Sequence, residues 1–474
     1  MSYTITHIHY RGEGIATDEN GRQIRIANAL AGETVEATDV SVMRRRQAVL
    51  DQVIVSAKER CLPVCPHWHR CPACQFQCMT DDAQCELKSQ NWVNLIQKIT
   101  PESADCSIQF TPARKKLAYR HRTEATVFCH QLTAPVLGIA PRLDIAAQET
   151  RDDAQQRGDT SFQLSELEPA DIFENGHYHP VPLKACALHA PELNRLMAQT
   201  ETWLAEIPLP HGTVIGFEAF DQNSRVVIHT KPEHADSSRQ AAHALFHALT
   251  PSFPGICLIL QVLPPRGSHV YPKPEAISES PWYGYGQDMH GDMLYALKGA
   301  WTPVNPDNAA IIRDTLARMI SHRTFQTALE LGCGCGTHAS IFARHAEHYI
   351  GIDASWPAIL SAQYNAEQNH WPNTTFFTDT AEHFLHKRYK KGMRADAILM
   401  HSNRMPYSEK TAQLCVQFGA QDLYIVAPTA YAMAQECRHF IDFGFKLHEI
   451  VICDTLPMTY HGMAVAHLSF GKLL

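Results

Sequence analysis

From residue 305 to residue 470 the chain alternates short apolar runs with longer amphipathic stretches, and this limits the fold more than any other feature. Asn305-Pro306 is a helix start, an N-cap followed by proline at the first helical position, with Ile312, Leu316 and Met319 on one face. Strand-like runs follow at 327–331, 348–352, 374–377, 397–400 and 423–426, each with a helical stretch after it. A last pair, 446–453 and 463–470, leaves no room for a helix between its strands. Such alternation predicts a doubly wound parallel sheet with an antiparallel end, an α/β domain over residues 293–474.

The turn after the first of these strands reads Glu330-Leu331-Gly332-Cys333-Gly334-Cys335-Gly336-Thr337. Glycines between a strand and a helix let the backbone approach a ligand, and the helix start offers free N–H groups. Asp353 ends the second strand about twenty residues on, where a carboxylate can accept both hydroxyls of a ribose. Asp379 and Thr380 follow the third. A nucleotide-type cofactor is therefore expected on Glu330, Gly332, Gly334, Gly336 and Thr337, with Asp353, Asp379 and Thr380 beside it. A dinucleotide fingerprint would more often read G-x-G-x-x-G. The spacing Glu-x-Gly-x-Gly-x-Gly is similar to the S-adenosylmethionine loop of class I methyltransferases, and the closing antiparallel pair points the same way.

Upstream, residues 1–58 are short alternating runs broken by glycine and polar turns, with Ile24 and Ile26, Val35 and Ala37, then Val53 and Val55 in phase. That pattern predicts a small all-β barrel. Residues 59–292 form a mixed central region with a helix over about 81–99, a strand around 124–129 and an acid-rich stretch, 166–171, expected to be a solvated loop. No basic and then apolar leader opens the chain, and no run of about 18 apolar residues occurs, so a cytoplasmic protein with no membrane contact is expected. In a reducing compartment fifteen cysteines do not make a disulfide framework. Cys65, Cys71 and Cys74, spaced C-x5-C-x2-C, suit a [4Fe-4S] cluster or zinc, with Cys186 as candidate fourth ligand. Zinc stays open because His67, His69, Cys61 and Cys78 lie close by.

The order of barrel, C-x5-C-x2-C, distant fourth cysteine and methyltransferase-like domain resembles the RNA uracil-5-methyltransferase family, which acts on ribosomal and transfer RNA. The resemblance implies a TRAM (OB-like, RNA-binding) domain at 1–58, a [4Fe-4S] cluster on Cys65, Cys71, Cys74 and Cys186, S-adenosylmethionine as cofactor and RNA as partner, with a monomer favoured. Arg114-Lys-Lys-Leu-Ala-Tyr-Arg-His-Arg122 is similar to the basic segment that opens the family's central domain. It is the local answer to a net charge of -8, which otherwise argues against a nucleic-acid partner. Asn365-Ala366, Asn369, Arg404, Asp454, Pro457, Thr459 and His461 also match.

The chemical positions do not. Methylating C5 of uracil requires a nucleophile to add at C6 and a base to remove the C5 proton. The family's Ser-Cys-Asn-Pro reads Val426-Ala427-Pro428-Thr429 here, and its base position is Met463. Asp-Pro-Pro-Arg reads His401-Ser402-Asn403-Arg404, and Phe-x-Gln-x-Asn reads Trp301-Thr302-Pro303-Val304-Asn305. Two readings remain. One is an RNA methyltransferase with an altered target atom or a relocated thiol, Cys437 or Cys453, and with His401 as either a general base or a surface polar residue. The other is a non-catalytic RNA-binding protein that keeps the cluster and the cofactor fold.

Overall fold

A computed structural model describes residues 1–41, 45–130, 133–156, 179–264 and 273–471. The acid-rich stretch at 166–171 lies outside them. The N-terminal strands Ser2–Thr4, His7–Ile8, Gly14–Thr17, Gln23–Ile26, Thr34–Asp39 and Gln47–Val55 form one six-stranded sheet. It wraps around Tyr3, Ile5, Ile24, Ile26, Val35 and Ala37, so the alternation seen in sequence does sort inside from outside. The alternation fails at the end of the long strand, where Val55 is exposed. The buried Glu33 pins the chain leaving this sheet. It accepts from Arg60 Nη2 at 2.7 Å and from the backbone N–H of Leu30 at 2.8 Å, and these bonds outweigh burial and hold its pKa below the usual carboxylate value.

A seven-stranded sheet occupies the middle of the chain, with Arg122–His130, Val214–Phe220, Asn223–Thr230 and Cys257–Val262 at its centre. The helices Pro191–Trp203 and Ala235–Leu249 bury Leu193, Leu196, Met197, Ala242 and Leu245 against it.

The C-terminal sheet has eight strands in the order Thr374–Thr378, Ala346–Asp353, Phe325–Leu331, Ala397–His401, Asp422–Ala427, Met463–Phe470, Phe445–Cys453, Ser107–Thr111. The first five are parallel, and Met463–Phe470 runs antiparallel to its neighbours. This is the expected doubly wound sheet, with two differences. Only a single helical turn, Ala339–Phe342, follows the first strand, because the glycine-rich turn uses most of the chain before Ala346. The far edge is covered by Ser107–Thr111, which arrives from hundreds of residues upstream and pairs parallel to Phe445–Cys453. The helix Asp81–Ile99 precedes that strand and packs Trp92 and Ile96 into the same core. Asn305 caps Pro306–Ile320 as the sequence predicts, accepting from the N–H of Asn308 at 3.0 Å. Among the described residues no helix is long and apolar enough to cross a membrane.

Candidate cofactor and acceptor site

The three glycines of the turn after Phe325–Leu331 all have positive φ, a region that Cβ disfavours. Gly332 has a second reason: a Cβ there would stand 2.8 Å from the carbonyl oxygen of His401 on the neighbouring strand. Gly334 is different, since a Cβ on it would meet no protein atom within 4 Å. The turn is open at this glycine, and its N–H donates to Asp353 Oδ2 at 3.0 Å. The other oxygen of Asp353 accepts from the N–H of Ser355 at 2.8 Å, which orients the carboxylate. Asp379 joins through its N–H to the carbonyl of Asp353 at 3.0 Å, and Thr380 caps the helix Ala381–Tyr389. All these residues therefore gather at the ends of three adjacent parallel strands. Glu330 and Thr337 face inward: Tyr349 and His338 hold the buried Glu330 carboxylate, and the Thr337 hydroxyl lies 2.9 Å from that of Tyr285.

On the other side of the turn stands His401, at the tip of Ala397–His401. Its ring centroid is 5.4 Å from that of His338 and 6.3 Å from that of Trp301. Burial, reinforced by His338, pushes its pKa down to about 3. His401 is thus no freely solvated surface histidine, and its ring is a poor proton acceptor near neutrality. His338 is not singled out in the sequence, although it stands two residues after the last glycine of the turn.

The loop after His401 hangs on Glu436 of the helix Ala430–Asp442, which accepts from Ser402 Oγ at 2.6 Å and from the N–H of Tyr407 at 2.9 Å. Burial raises its pKa to about 7 while these two bonds pull it down; Tyr407, Cys415 and Cys437 share its field. Folded, the group keeps its proton where the unfolded chain, near pH 4.3, has lost it. Its favourable share of stability is complete below about pH 4.3 and gone above about pH 7. Glu436→Gln should therefore gain ~2–3 kcal/mol over the parent at pH 8 and little at pH 5. Denaturant midpoints at the two pH values check this, and an equal difference at both would refute it.

Cys437 and Cys453 are fully buried, and burial lifts the first well above the usual thiol value and the second to about 12. Cys335, in the turn itself, is also raised to about 12. Ala427 is wholly buried, paired with Ala464 across the sheet.

The matching positions that survive are clamps. Asn365 Nδ2 donates to the carbonyls of Tyr295 and Cys335 at 2.9 and 3.0 Å, tying the helix after the second strand to the glycine turn. Asp454 binds the buried Lys88 at 2.6 Å, and Thr459 accepts from the N–H of His461 at 3.2 Å. Thus Asn365 and Asp454 tie separate segments of the chain to one another.

Cys65, Cys71, Cys74 and Cys186 line one cavity of about 300 Å³, together with Arg120 and Gln77. Burial raises Cys71 to about 11 and Cys74 to about 12, and it raises Cys186 as well; each of the four lies in the field of at least one other. Among the described residues no three of these sulfurs lie within 4.8 Å of one another. A zinc ion with Zn–S bonds of about 2.3 Å needs sulfurs only about 3.8 Å apart. A cubane, in which each thiolate binds a different iron, sets them wider.

In the expected RNA strip, 114–122, Arg114 and Lys116 stay exposed but are paired at the surface. Arg114, Lys115 and Lys116 pair with Asp314, Asp307 and Asp81, and Tyr119 is buried with its hydroxyl on the carbonyl of Pro457 at 2.9 Å. Positive charge collects elsewhere: Arg404, Lys88, Arg120 and Arg11 all act on His461 and, with burial, lower it to about 4. Of these, Arg11 and Arg404 are exposed and have no ion pair among the described residues.

A methyltransferase-domain family model matches residues 328–421. An uncharacterized RNA methyltransferase of Halalkalibacterium halodurans is 23% identical, covering 99% of this chain and 96% of that protein. A 23S rRNA (uracil(1939)-C(5))-methyltransferase of Shewanella woodyi is 22% identical, covering 98% and 95%. The crystal structure of a Pyrococcus abyssi tRNA (uracil-54, C5)-methyltransferase in complex with S-adenosyl-L-homocysteine has the same fold, with a TM-score of 0.68 at 14% identity over 99% of this chain and 100% of that one. Along its whole length, then, the chain is similar to RNA methyltransferases.

Proposed function

We propose that the chain is an S-adenosylmethionine-dependent RNA methyltransferase, on ribosomal or transfer RNA, that delivers the methyl group to a nitrogen or oxygen and not to C5 of uracil. One observation carries this reading: an intact cofactor turn, open at Gly334 and backed by Asp353, stands in a domain whose thiols Cys335, Cys437 and Cys453 are all buried. An atom with its own lone pair attacks the methyl carbon directly. The carbon–sulfur bond breaks, S-adenosylhomocysteine leaves, and the acceptor gives up its proton, so no adduct on the ring is needed.

The turn and the Asp353 carboxylate would hold the cofactor, with Asp379 at the edge of its base. Trp301 and Met405, both exposed near His401, offer apolar surface on which an unstacked base can rest. Arg11 and Arg404 would take phosphates. The four cysteines fit a [4Fe-4S] cluster, which in this position would tie the 65–74 loop to the segment around Cys186; the cavity and the sulfur spacing support that assignment over zinc. The residues at 1–58 would serve as the TRAM domain.

Arg11→Gln with Arg404→Gln should lower RNA affinity and reduce the slope of log K against log salt by about 1.4–1.8, the loss of two phosphate contacts. Replacing Arg114, Lys115 and Lys116 with glutamine should leave that slope nearly unchanged, because their charges are already paired. The reverse pattern would restore the strip as the RNA surface. The function itself is tested by transfer of labelled methyl from S-adenosylmethionine to total cellular RNA. Label in RNA supports it. Cofactor binding with no label in any RNA would favour the non-catalytic RNA-binding reading, which the four replaced positions motivate.

A further inference from the structure

We propose that Glu330, His338 and His401 form a binding site for one divalent transition-metal ion, set between the cofactor turn and the space where the acceptor enters. The three side chains each offer a ligand atom, and these atoms lie within 4.8 Å of one another. No other such group of three occurs among the described residues. The three come from rigid positions. Glu330 is on the first parallel strand, His338 follows the glycine turn, and His401 ends the adjacent strand, with Leu331 and Met400 in register just before it.

Two imidazoles and one carboxylate suit manganese, iron, cobalt, nickel or zinc, and suit calcium or magnesium poorly. His338 Nδ1 is already 3.2 Å from Glu330 Oε1, close to the spacing of about 3 Å between neighbouring donors bound at about 2.1 Å. The second oxygen of Glu330 accepts from the Tyr349 hydroxyl, an outer contact that fixes how the carboxylate points. An ordinary buried His–Glu pair would be complete without His401. Yet His401 packs against that pair, and no hydrogen bond to its ring is seen among the described residues. His401 is half-buried, and a shared ion would give its ring a partner. His401 also stands where the resembled family has the aspartate of Asp-Pro-Pro-Arg, so the change in residue coincides with the change in chemistry.

The role of the ion rests on the methyltransferase reading above; its binding does not. A ring nitrogen needs no activation, whereas a ribose hydroxyl must lose its proton to attack a methyl sulfonium. A bound divalent ion lowers the pKa of a coordinated hydroxyl. The acceptor would then be a ribose 2′-hydroxyl: the oxygen–methyl bond forms, the sulfur–methyl bond breaks, and the proton passes to solvent.

The test is titration of the anaerobically purified, cluster-loaded protein with Co²⁺, followed by visible absorption and calorimetry. Expected are one equivalent of Co²⁺ with the weak bands of nitrogen and oxygen ligands, no strong near-ultraviolet sulfur-to-metal band, and affinity at least tenfold lower in both His401→Ala and His338→Gln. Unfolding midpoints near the parent's confirm that the variants are folded; a variant that fails this is replaced by His401→Gln. The proposal is overturned by absent binding, by thiolate-type spectra, or by parental affinity in the variants. Binding of Co²⁺ without methyl transfer to RNA would leave the site standing and remove the proposed reaction.

Discussion

Gly334→Ala should abolish S-adenosylmethionine binding in a protein that folds as the parent does. Gly334 has φ +54°, a left-handed conformation that alanine adopts at a cost of about 1 kcal/mol. The added Cβ would meet no protein atom within 4 Å, so the fold has room for it. On the proposed placement of the cofactor it would meet the ligand, because this is the glycine whose N–H is tied to Asp353 and where a Cβ meets open space. Affinity should fall at least ~100-fold, about 2.7 kcal/mol, by calorimetry, with an unfolding midpoint within a few degrees of the parent's. Gly332→Ala is the contrast. Its Cβ would crowd the His401 carbonyl at 2.8 Å, so it should damage stability and binding together. Parental affinity in Gly334→Ala would mean that the cofactor does not lie on this turn.

The second large effect concerns the cysteine cavity. The proposed cluster would occupy the cavity of about 300 Å³ that Cys65, Cys71, Cys74 and Cys186 line. Purified without oxygen, the protein should be brown and carry about four irons per chain. Cys71→Ser and Cys186→Ser should each be colourless and retain less than one iron. Their unfolding midpoints should drop by roughly 6–12 °C, the equivalent of about 3 kcal/mol. Iron analysis and thermal scans decide it. A colourless parent with one zinc would replace the cluster with a zinc site, and parental iron in Cys186→Ser would remove that cysteine from the ligand set.

Much of this was legible in the sequence because it is written locally. The helix start at Asn305-Pro306, the five parallel strands and the closing pair are patterns of neighbouring residues, and each lies within a few residues of its place in the structure. The spacing of Cys65, Cys71 and Cys74 is equally local, whereas no spacing ties the distant Cys186 to them. What failed to show depends on distant partners. Ser107–Thr111 reads as an unremarked polar strand until Phe445–Cys453 is folded beside it. Arg114, Lys115 and Lys116 read as a strip for phosphates, since nothing nearby announces Asp81, Asp307 and Asp314 as their partners. His338 and His401 are separated by sixty-three positions and meet only because the first and fourth strands are neighbours in the sheet.

The central claim, methyl transfer without uracil C5 chemistry, is tested most directly by a double-label reaction. RNA carrying tritium at C5 of uridine is incubated with the protein and S-adenosylmethionine labelled with ¹⁴C in its methyl group. Methylation at C5 expels the tritium; attack by a nitrogen or oxygen leaves it in place. The account predicts ¹⁴C in the RNA with no tritium released to water. Release of one tritium for each methyl transferred would contradict it.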